Sequence, residues 1–318
     1  MKKIITSVAL TLGMTGALIQ SEGVEAREYI NILTGGTSGV YYPMGNALSS
    51  LYGQSLPDAK ITVQSTKASV ENLNLLQQGR GELALALGDS VSNAWQGVEE
   101  AGFKAPLDKL RGVAAAYPNF VQIVATKDSG IATLADLKGK RVSVGAPKSG
   151  TELNARAVFA AAGLSYDDMD VQYLPFGESV ELMKNRQLDA TLQSAGLGVA
   201  SIRDLASTHE IVVVAVPAEV IEKIGDAAYN VGTIPANTYN GQTEDVTSAS
   251  IYNFFVTHAD VPEEVVYTMT RDIFENLDTL QAAHSAAKAI SLESATQGMA
   301  VPLHPGAERY FKEKGVLQ

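Results

Sequence analysis

The sequence contains no cysteine. This absence excludes disulfide bonds, zinc–thiolate sites, thiol nucleophiles and a lipid-modified N-terminal cysteine. It says nothing against an oxidising compartment, because a chain without thiols has no redox chemistry of this kind to protect.

Histidine is also scarce, with four residues scattered along the chain at His209, His258, His284 and His304. They form no H-E-x-x-H motif, and the chain has no G-x-S-x-G nucleophile elbow. The acidic run from Asp167 to Asp170 lacks the glycine and the terminal glutamate of an EF-hand, so we interpret it as a solvated turn. The sequence therefore predicts no catalytic residues, no metal and no cofactor, which is typical of a protein that is not an enzyme.

Basic residues are outnumbered by acidic ones, with 24 Lys and Arg against 35 Asp and Glu and a formal net charge of −11. A surface this acidic repels phosphate backbones, so we expect no nucleic-acid partner. An anionic ligand would have to be held by local dipoles and a few placed cations.

Long apolar runs are absent after the N-terminus, where residues 4–19 carry no charge and follow Met1-Lys2-Lys3. The basic start, the short apolar run and the V-x-A site ending at Ala26 predict a secretory signal peptide over residues 1–26, with a membrane anchor as the alternative. Cleavage near Ala26 would leave Arg27 first. We expect the rest of the chain to be secreted and to have no stable membrane insertion.

The remaining chain alternates short apolar strands with helical segments, which is typical of a mostly parallel sheet covered by helices. At 318 residues, two domains are favoured over one. Residues 31–40 and residues 142–151 repeat one plan, a strand, a glycine loop and a Ser-Gly pair that opens a helix. This repeat predicts an α/β fold with two hinged lobes, each with a mixed, mainly parallel sheet; chance similarity of two turns is the alternative.

The predicted first lobe comprises residues 27–115 and 217–318, and the predicted second lobe comprises residues 116–216. The chain would pass between the lobes near residues 114–126 and 209–217. The β-branched run from Ile211 to Val216 is expected to be a strand buried on both faces. After Pro217 the chain is predicted to be mainly helical.

The two glycine loops are the leading candidates for a binding site. In parallel α/β sheets, ligands lie beyond the carboxyl ends of strands, where unpaired N–H groups at helix starts favour an anion. Ser38 and Thr37 add hydroxyl groups to the first loop, and Ser149 and Thr151 add them to the second. Neither loop matches a nucleotide fingerprint. Two facing loops would bind a molecule with a carboxylate at each end, although ordinary helix capping remains the alternative.

Further candidates follow the apolar strands. Asp89 lies at one strand end and would have to receive an amino group, which favours an amino acid over a keto acid. Tyr41 is a candidate pocket wall with core packing as the alternative, and we expect one of Lys67, Lys148 and Arg156 to reach the ligand. The complete set of predicted ligand-binding residues is Gly36, Thr37, Ser38, Gly39, Tyr41, Ser65, Lys67, Asp89, Ser90, Tyr117, Ser149, Gly150, Thr151, Glu152, Gln193, Ser194, Ala195 and Gly196.

Several motifs in this chain resemble those of the TAXI-family solute receptors of TRAP (tripartite ATP-independent periplasmic) transporters. The resemblance covers essentially the whole chain after the signal peptide, and its opening and closing motifs are the specific ones. The motifs are Thr34-Gly-Gly-Thr-Ser-Gly-Val-Tyr-Tyr-Pro43, Ser69-Val-Glu-Asn-Leu73, Asp136-Leu-Lys-Gly-Lys-Arg-Val-Ser-Val-Gly145, Ser149-Gly-Thr-Glu152 and Pro302-Leu-His-Pro-Gly-Ala-Glu-Arg-Tyr310.

This resemblance implies a type II periplasmic binding protein that delivers solute to a sodium-coupled TRAP permease with fused small and large subunits. It implies glutamate, glutamine or 2-oxoglutarate as ligand, and we expect a monomer that binds L-glutamate. The chain departs from the family pattern at Gly88, where a glutamine or serine is expected before the aspartate, and at Lys67-Ala68, where glycines are commoner. A sensor receptor that presents its ligand to a membrane kinase and an enzyme on the same scaffold are the alternatives.

Overall fold

The computed structural model describes residues 29–318. The signal peptide predicted over residues 1–26 lies outside the described residues. Within residues 29–318, no helix is long and apolar enough to cross a membrane.

The strands are β1 (Tyr29–Leu33), β2 (Lys60–Gln64), β3 (Leu83–Leu87), β4 (Leu110–Thr126), β5 (Arg141–Ser143), β6 (Asp170–Gln172), β7 (Ala190–Ala195), β8 (Ile211–Val214), β9 (Asn230–Ile234) and β10 (Val246–His258). The helices are α1 (Tyr41–Ser55), α2 (Ser69–Gln77), α3 (Gly88–Gln96), α4 (Gly150–Ala161), α5 (Phe176–Lys184), α6 (Ala200–Thr208), α7 (Ala218–Ile224), α8 (Glu263–Glu275), α9 (Leu277–Ala283) and α10 (Pro305–Glu313).

The strands form one continuous hydrogen-bonded path in the order β2-β1-β3-β10-β4-β7-β5-β6, with β8 beside β4 and β9 beside β10. Strand β1 is parallel to both β2 and β3, and β5 is parallel to both β6 and β7. The two long strands β4 and β10 are antiparallel to each other and to the strands beside them. Each half of the path is therefore a mixed sheet, and β4 and β10 belong to both halves.

The strands β4 and β10 each change their neighbouring strand close to the Pro118–Tyr252 pair. Strand β10 pairs with β3 from Asn253 onward, and its earlier residues 246–250 pair with β9. Strand β4 pairs with β7 from Phe120 onward, after the Pro118–Tyr252 pair with β10. At this level Asn253 Nδ2 donates to Asn119 Oδ1 at 2.8 Å, so a buried amide pair marks the point where the chain passes between the lobes.

Two of the three apolar core clusters each lie almost entirely on one side of this division, whereas the largest, which includes Met44 and Met183, contains residues of both halves. One core cluster, which includes Leu73 and Phe103, lies under α2 and α3 on the β1–β3 side. A separate cluster, which includes Val158, Ile221 and Ile251, lies under α4 and α7 on the β5–β7 side. The two-lobed α/β fold with mixed sheets that the sequence predicts is confirmed by this architecture together with the structural comparisons reported below.

The structure corrects one expectation for the C-terminal part of the chain and adds to another. The region after Pro217 contains more helix than strand, as predicted, but it also contains β9 and the 13-residue strand β10, which the sequence did not predict. Strand β8 pairs only with β4 among the described strands, and its middle residues Val212 and Val213 are only half-buried. The return of the chain between the lobes near residues 209–217 stays a prediction, and the pairing of β10 with both β3 and β9 leads us to propose β10 as the crossing instead.

The predicted lobe boundaries stay a prediction, and we propose a revision of them. Helix α7 packs on α4, and Ala249 and Ile251 of β10 belong to the second-lobe core. Residues 217–251 thus pack with the second lobe in this arrangement. We propose residues 29–118 and 252–318 as the first lobe and residues 119–251 as the second lobe.

Candidate functional site

A cavity of about 370 Å³ lies between the two lobes, where the carboxyl ends of β1, β3 and β5 meet the strand crossing. This volume falls in the lower part of the range of about 300–1,000 Å³ that is usual for small-molecule sites. The lining residues are Gly35, Gly36, Thr37, Ser38, Gly39, Val40, Tyr41, Ser65, Thr66, Lys67, Ala68, Ser69, Leu87, Tyr117, Asn119, Ala146, Ser149, Gly150, Thr151, Pro175, Phe176, Gly177, Glu178, Ser194 and Ala195.

The first residues of the helices α1, α2, α4 and α5 all line this cavity. Among these four helices, the residues preceding α1, α2 and α5 provide no side-chain cap. The first N–H groups of a helix have no partner within the helix, and the helix dipole places partial positive charge there. Two helices from each lobe therefore present hydrogen-bond donors to one enclosed space, and this arrangement favours an anionic ligand.

The first glycine loop closes on itself before α1 begins. The Gly39 N–H donates to the Gly36 carbonyl at 3.0 Å, and the Ser65 hydroxyl donates to the Gly35 carbonyl at 2.9 Å. A Cβ added at Gly36 would meet no atom within 4 Å, so the backbone of this residue faces open space. A ligand can therefore approach the Gly36 backbone closely, which is a common reason for glycine in binding loops.

The second glycine loop lies directly against the first lobe. Ser149 caps α4, because its Oγ accepts a hydrogen bond from the Glu152 N–H at 3.1 Å. This bond uses the Ser149 hydroxyl as an acceptor and leaves its proton for a ligand. A Cβ added at Gly150 would lie 2.7 Å from both Leu87 Cδ1 and Ser69 Oγ. A larger residue at position 150 would therefore force these side chains to move or the lobes to separate.

Two buried hydroxyl groups on the cavity wall have no hydrogen-bond partner within residues 29–318. They are the hydroxyl of Tyr117, which is fully buried, and the Oγ of Ser194, a residue that is 5% exposed. Burial also raises the pKa of Tyr117 well above its usual range, so its hydroxyl is protonated and able to donate. A buried polar group without a partner costs free energy, and both residues line the cavity, so a small shift of either side chain on ligand binding would give its hydroxyl a partner.

Charged side chains are few on the cavity wall, where the described residues contribute Lys67 and Glu178. Both side chains are exposed at the rim. Lys67 is the cation expected to reach a ligand, whereas Arg156 forms a bidentate pair with Glu152 at 2.9 and 2.8 Å. An anion would thus be held mainly by backbone and hydroxyl donors, with Lys67 as an adjacent charge.

Most of the predicted ligand-binding residues lie together in this cavity. These residues are Gly36, Thr37, Ser38, Gly39, Tyr41, Ser65, Lys67, Tyr117, Ser149, Gly150, Thr151, Ser194 and Ala195.

The structure places five predicted residues elsewhere. Glu152 faces Arg156, Gln193 accepts from Ser201 Oγ at 2.6 Å, and Gly196 packs against Tyr117. Asp89 and Ser90 are buried at the start of α3 and do not line the cavity: the Asp89 carboxylate contacts the second lobe, and the Ser90 hydroxyl donates to Asp89 Oδ1 at 3.3 Å.

Sequence reasoning missed two of the four helix starts, those of α2 and α5, although it predicted Ser65 and Lys67 near the first of them. Residues 175–177 follow β6 and open α5, and Gly177 approaches the first glycine loop closely enough that an added Cβ would lie 3.1 Å from Ser38 Oγ. The same rule that identified the two glycine loops, a helix start after a parallel strand, would have identified this segment. Asn119 was also missed, because only the fold brings the strand crossing under the cavity.

The fold and the inter-lobe cavity define the class of protein as one with the two-lobed fold of the periplasmic binding proteins. Three solved structures share this fold at low sequence identity. A protein of Bordetella bronchiseptica RB50 is 15% identical with a TM-score of 0.54, over 91% of this chain and 89% of that one. A protein described as a periplasmic transporter is 12% identical with a TM-score of 0.53, over 91% of this chain and 93% of that one. A putative L-cystine ABC transporter protein of Listeria monocytogenes is 15% identical with a TM-score of 0.51, over 82% of this chain and 95% of that one.

The family itself is shown by the sequence. Residues 32–315 match the model of the NMT1-like family, and the chain belongs to this family. The matched range includes both lobes and both glycine loops, so the cavity described above lies entirely within the family region.

Proposed function

We propose that this chain is the periplasmic solute-binding protein of a transporter and that it captures a small dicarboxylate, with L-glutamate as the first candidate. The observation that carries the proposal is the convergence of four helix starts, two from each lobe, on one cavity of about 370 Å³. Ligand contacts made by both lobes exist only when the lobes are closed, so the ligand shifts the equilibrium toward the closed form.

The arrangement of donors supports a ligand with two anionic ends. The first glycine loop and the start of α2 belong to the first lobe, and the loop before α4 and the start of α5 belong to the second. One carboxylate would accept hydrogen bonds from each pair. The hydroxyls of Tyr117 and Ser194 would bind the polar group between the two ends.

The choice among dicarboxylates rests on fewer contacts. Asp89 does not line the cavity, so the expectation that it would receive an amino group loses its basis. Among the described lining residues, Glu178 at the rim is the carboxylate that remains to bind an ammonium group of the ligand. We therefore propose L-glutamate first, with 2-oxoglutarate and glutamine as the alternatives within the same site.

Binding is tested by calorimetry and thermal shift with L-glutamate, 2-oxoglutarate and L-glutamine, and by native mass spectrometry of any ligand that co-purifies. Gly36→Leu fills open cavity space and is expected to abolish binding without loss of folding. Gly53→Leu is the matched control, because Gly53 is exposed on α1 and an added Cβ meets no atom within 4 Å. Because L-glutamine has only one carboxylate, the absence of binding of both L-glutamate and 2-oxoglutarate by the wild-type protein would refute the proposed dicarboxylate ligand.

Delivery to a sodium-coupled TRAP permease is the finer part of the proposal, and it rests on the motif resemblance between Thr34 and Tyr310. Uptake into proteoliposomes that contain the permease should require this protein and a sodium gradient. Uptake driven by ATP instead would identify an ABC importer, and binding without any uptake would favour the sensor receptor.

The export and assembly state are separate parts of the proposal. N-terminal sequencing of protein taken from the periplasm should begin at Arg27. The protein should elute as a monomer in light-scattering measurements.

A further inference from the structure

Asp89 occupies an unusual position for a carboxylate. It follows β3 at the start of α3, is 2% exposed and lies outside the cavity wall. Its Oδ2 accepts a hydrogen bond from Asn154 Nδ2 at 2.6 Å and another from the Tyr229 hydroxyl at 2.9 Å. Within residues 29–318, Asp89 has no salt-bridge partner, so hydrogen bonds alone compensate its burial.

The two partners of Asp89 belong to the opposite lobe. Asn154 lies in α4 and is fully buried, and Tyr229 packs against the core cluster under α4 and α7. Asn154 also donates to the Tyr229 hydroxyl at 2.7 Å. Asp89, Asn154 and Tyr229 therefore form a closed triangle of hydrogen bonds across the lobe boundary, which we call the inter-lobe clasp.

Two further hydrogen bonds join the lobes on the same side. The Glu71 N–H of α2 donates to the Lys148 carbonyl at 3.2 Å, and Arg156 Nη1 of α4 donates to the Glu100 carbonyl at 2.9 Å. Lys148 has a φ of 63°, a left-handed conformation that is uncommon for a residue with a side chain. The clasp is thus the buried centre of a larger contact between the lobes.

The bonds of the clasp form only while the lobes are together. When the lobes separate, Asp89 returns to water, and Asn154 and Tyr229 lose their shared acceptor. Hydrogen bonds to a charged group in a dry environment are stronger than those between neutral groups. Loss of either bond would therefore leave the buried carboxylate less compensated and would disfavour closure without any change in the contacts with a ligand.

We propose that Asn154 and Tyr229 act as positioning residues, which hold the buried Asp89 carboxylate, stabilise the closed form and so raise ligand affinity from outside the cavity. This inference rests on the proposed function for its effect on affinity, whereas its effect on closure is independent of which ligand binds. Removal of one bond to the carboxylate should lower the closed-to-open ratio by about tenfold.

Burial raises the pKa of Asp89 to about 6, because the loss of hydration disfavours the carboxylate more than its hydrogen bonds favour it, so the bonds from the opposite lobe offset part of this cost. The titratable groups that face Asp89 are Tyr229 and Asp226 from the segment after α7 and Tyr41 from α1. None of them is a cation, which agrees with a carboxylate held by hydrogen bonds alone.

The test compares Tyr229→Phe with Tyr166→Phe. Both changes remove a tyrosine hydroxyl that contacts a carboxylate, but the contact of Tyr166 with Glu152 lies within the second lobe. Because the chain has no cysteine, Gln54→Cys on the first lobe and Ala160→Cys on the second provide unique spin-label sites on exposed helix positions. Thermal unfolding of each variant checks that it folds.

Double electron–electron resonance without ligand should show a closed-distance population in the wild type and in Tyr166→Phe, and about a tenfold smaller one in Tyr229→Phe. Dissociation constants for L-glutamate should rise by the same factor in Tyr229→Phe alone. The proposal is overturned if the wild type shows no closed population. It is also overturned if Tyr229→Phe gives the same distance distribution as the wild type. If the wild type closes but binds none of the three compounds, the proposed ligand class fails and the clasp stands.

Discussion

Replacing Gly150 with alanine adds one methyl group at the point where the second glycine loop meets the first lobe. The new Cβ would lie 2.7 Å from both Leu87 Cδ1 and Ser69 Oγ. Carbon atoms in contact prefer separations of about 3.5–4.0 Å, so the lobes would have to move apart by about 1 Å or the neighbouring side chains would have to rotate.

Overpacking of this kind costs about 1–3 kcal/mol in a closely packed core. At Gly150 the strain exists only while the lobes are closed, because Leu87 and Ser69 belong to the first lobe and Gly150 to the second. The cost should therefore appear in ligand affinity and not in folding. Since about 1.4 kcal/mol corresponds to a factor of ten, we expect the dissociation constant to rise about fivefold to a hundredfold.

Calorimetry with L-glutamate measures the change in affinity, and thermal unfolding of the ligand-free protein measures any change in stability. Gly53→Ala on the exposed face of α1 is the matched control and should change neither affinity nor closure. An affinity within twofold of the wild type, or a loss of ligand-free stability as large as the loss of affinity, would refute the reasoning.

Further predictions concern the cavity wall, the backbone and pH. Tyr117→Phe and Ser194→Ala should each weaken ligand binding about tenfold, because each removes a donor that is otherwise unpartnered. Calorimetry measures the affinity of each variant. Unchanged affinity in both would exclude these hydroxyls as contacts. Ala68→Gly should raise the unfolding free energy by about 1 kcal/mol, because Ala68 has a φ of 71° and a ψ of −144°, which glycine adopts without strain. Urea titration measures this change. As the control, Ala160→Gly at an exposed position of α4 should lower the unfolding free energy instead. Because burial raises the pKa of Asp89 from 3.8 to about 6, the folded state binds its proton more tightly than the unfolded state. This contribution to stability is present below about pH 4 and is lost between about pH 4 and pH 6, by about 3 kcal/mol in total. The Asp89→Asn variant should lack this loss in urea titrations across that range, and an identical pH profile in the variant would contradict the assignment.

The parts of the site that could be predicted from sequence are those defined by neighbouring residues. The turns before α1 and α4 each consist of a strand, glycines, a serine and a helix start, and such a turn takes its shape from its own residues. The structure places Ser38 and Ser149 on the wall of one cavity, as the repeat of this plan suggested.

Asp89 shows why the remaining site could not be predicted. Its partners Asn154 and Tyr229 lie 65 and 140 residues further along the chain. Nothing around Leu87 and Ser90 distinguishes a carboxylate that faces a ligand from one that faces another lobe. The direction of the side chain depends on how the lobes pack.

Strand β10 was missed for a related reason. Its first residues include Thr247, Ser248 and Ser250, which resemble a polar loop in the sequence. In the structure Ser248 is fully buried, and its hydroxyl donates to the Val121 carbonyl of β4. The polar residue is therefore tolerated inside the sheet only because β4 supplies an acceptor.

The position of β10 in the sheet path also has a kinetic consequence. This strand is hydrogen-bonded to β3, β4 and β9, so the sheet path has a gap in its middle until residues 246–258 are available. Pairings between segments this distant in the chain are slow to form. A nascent chain that lacks its last quarter can build local helices and turns, but it cannot join its two lobes, and its assembly must wait for synthesis to be almost complete.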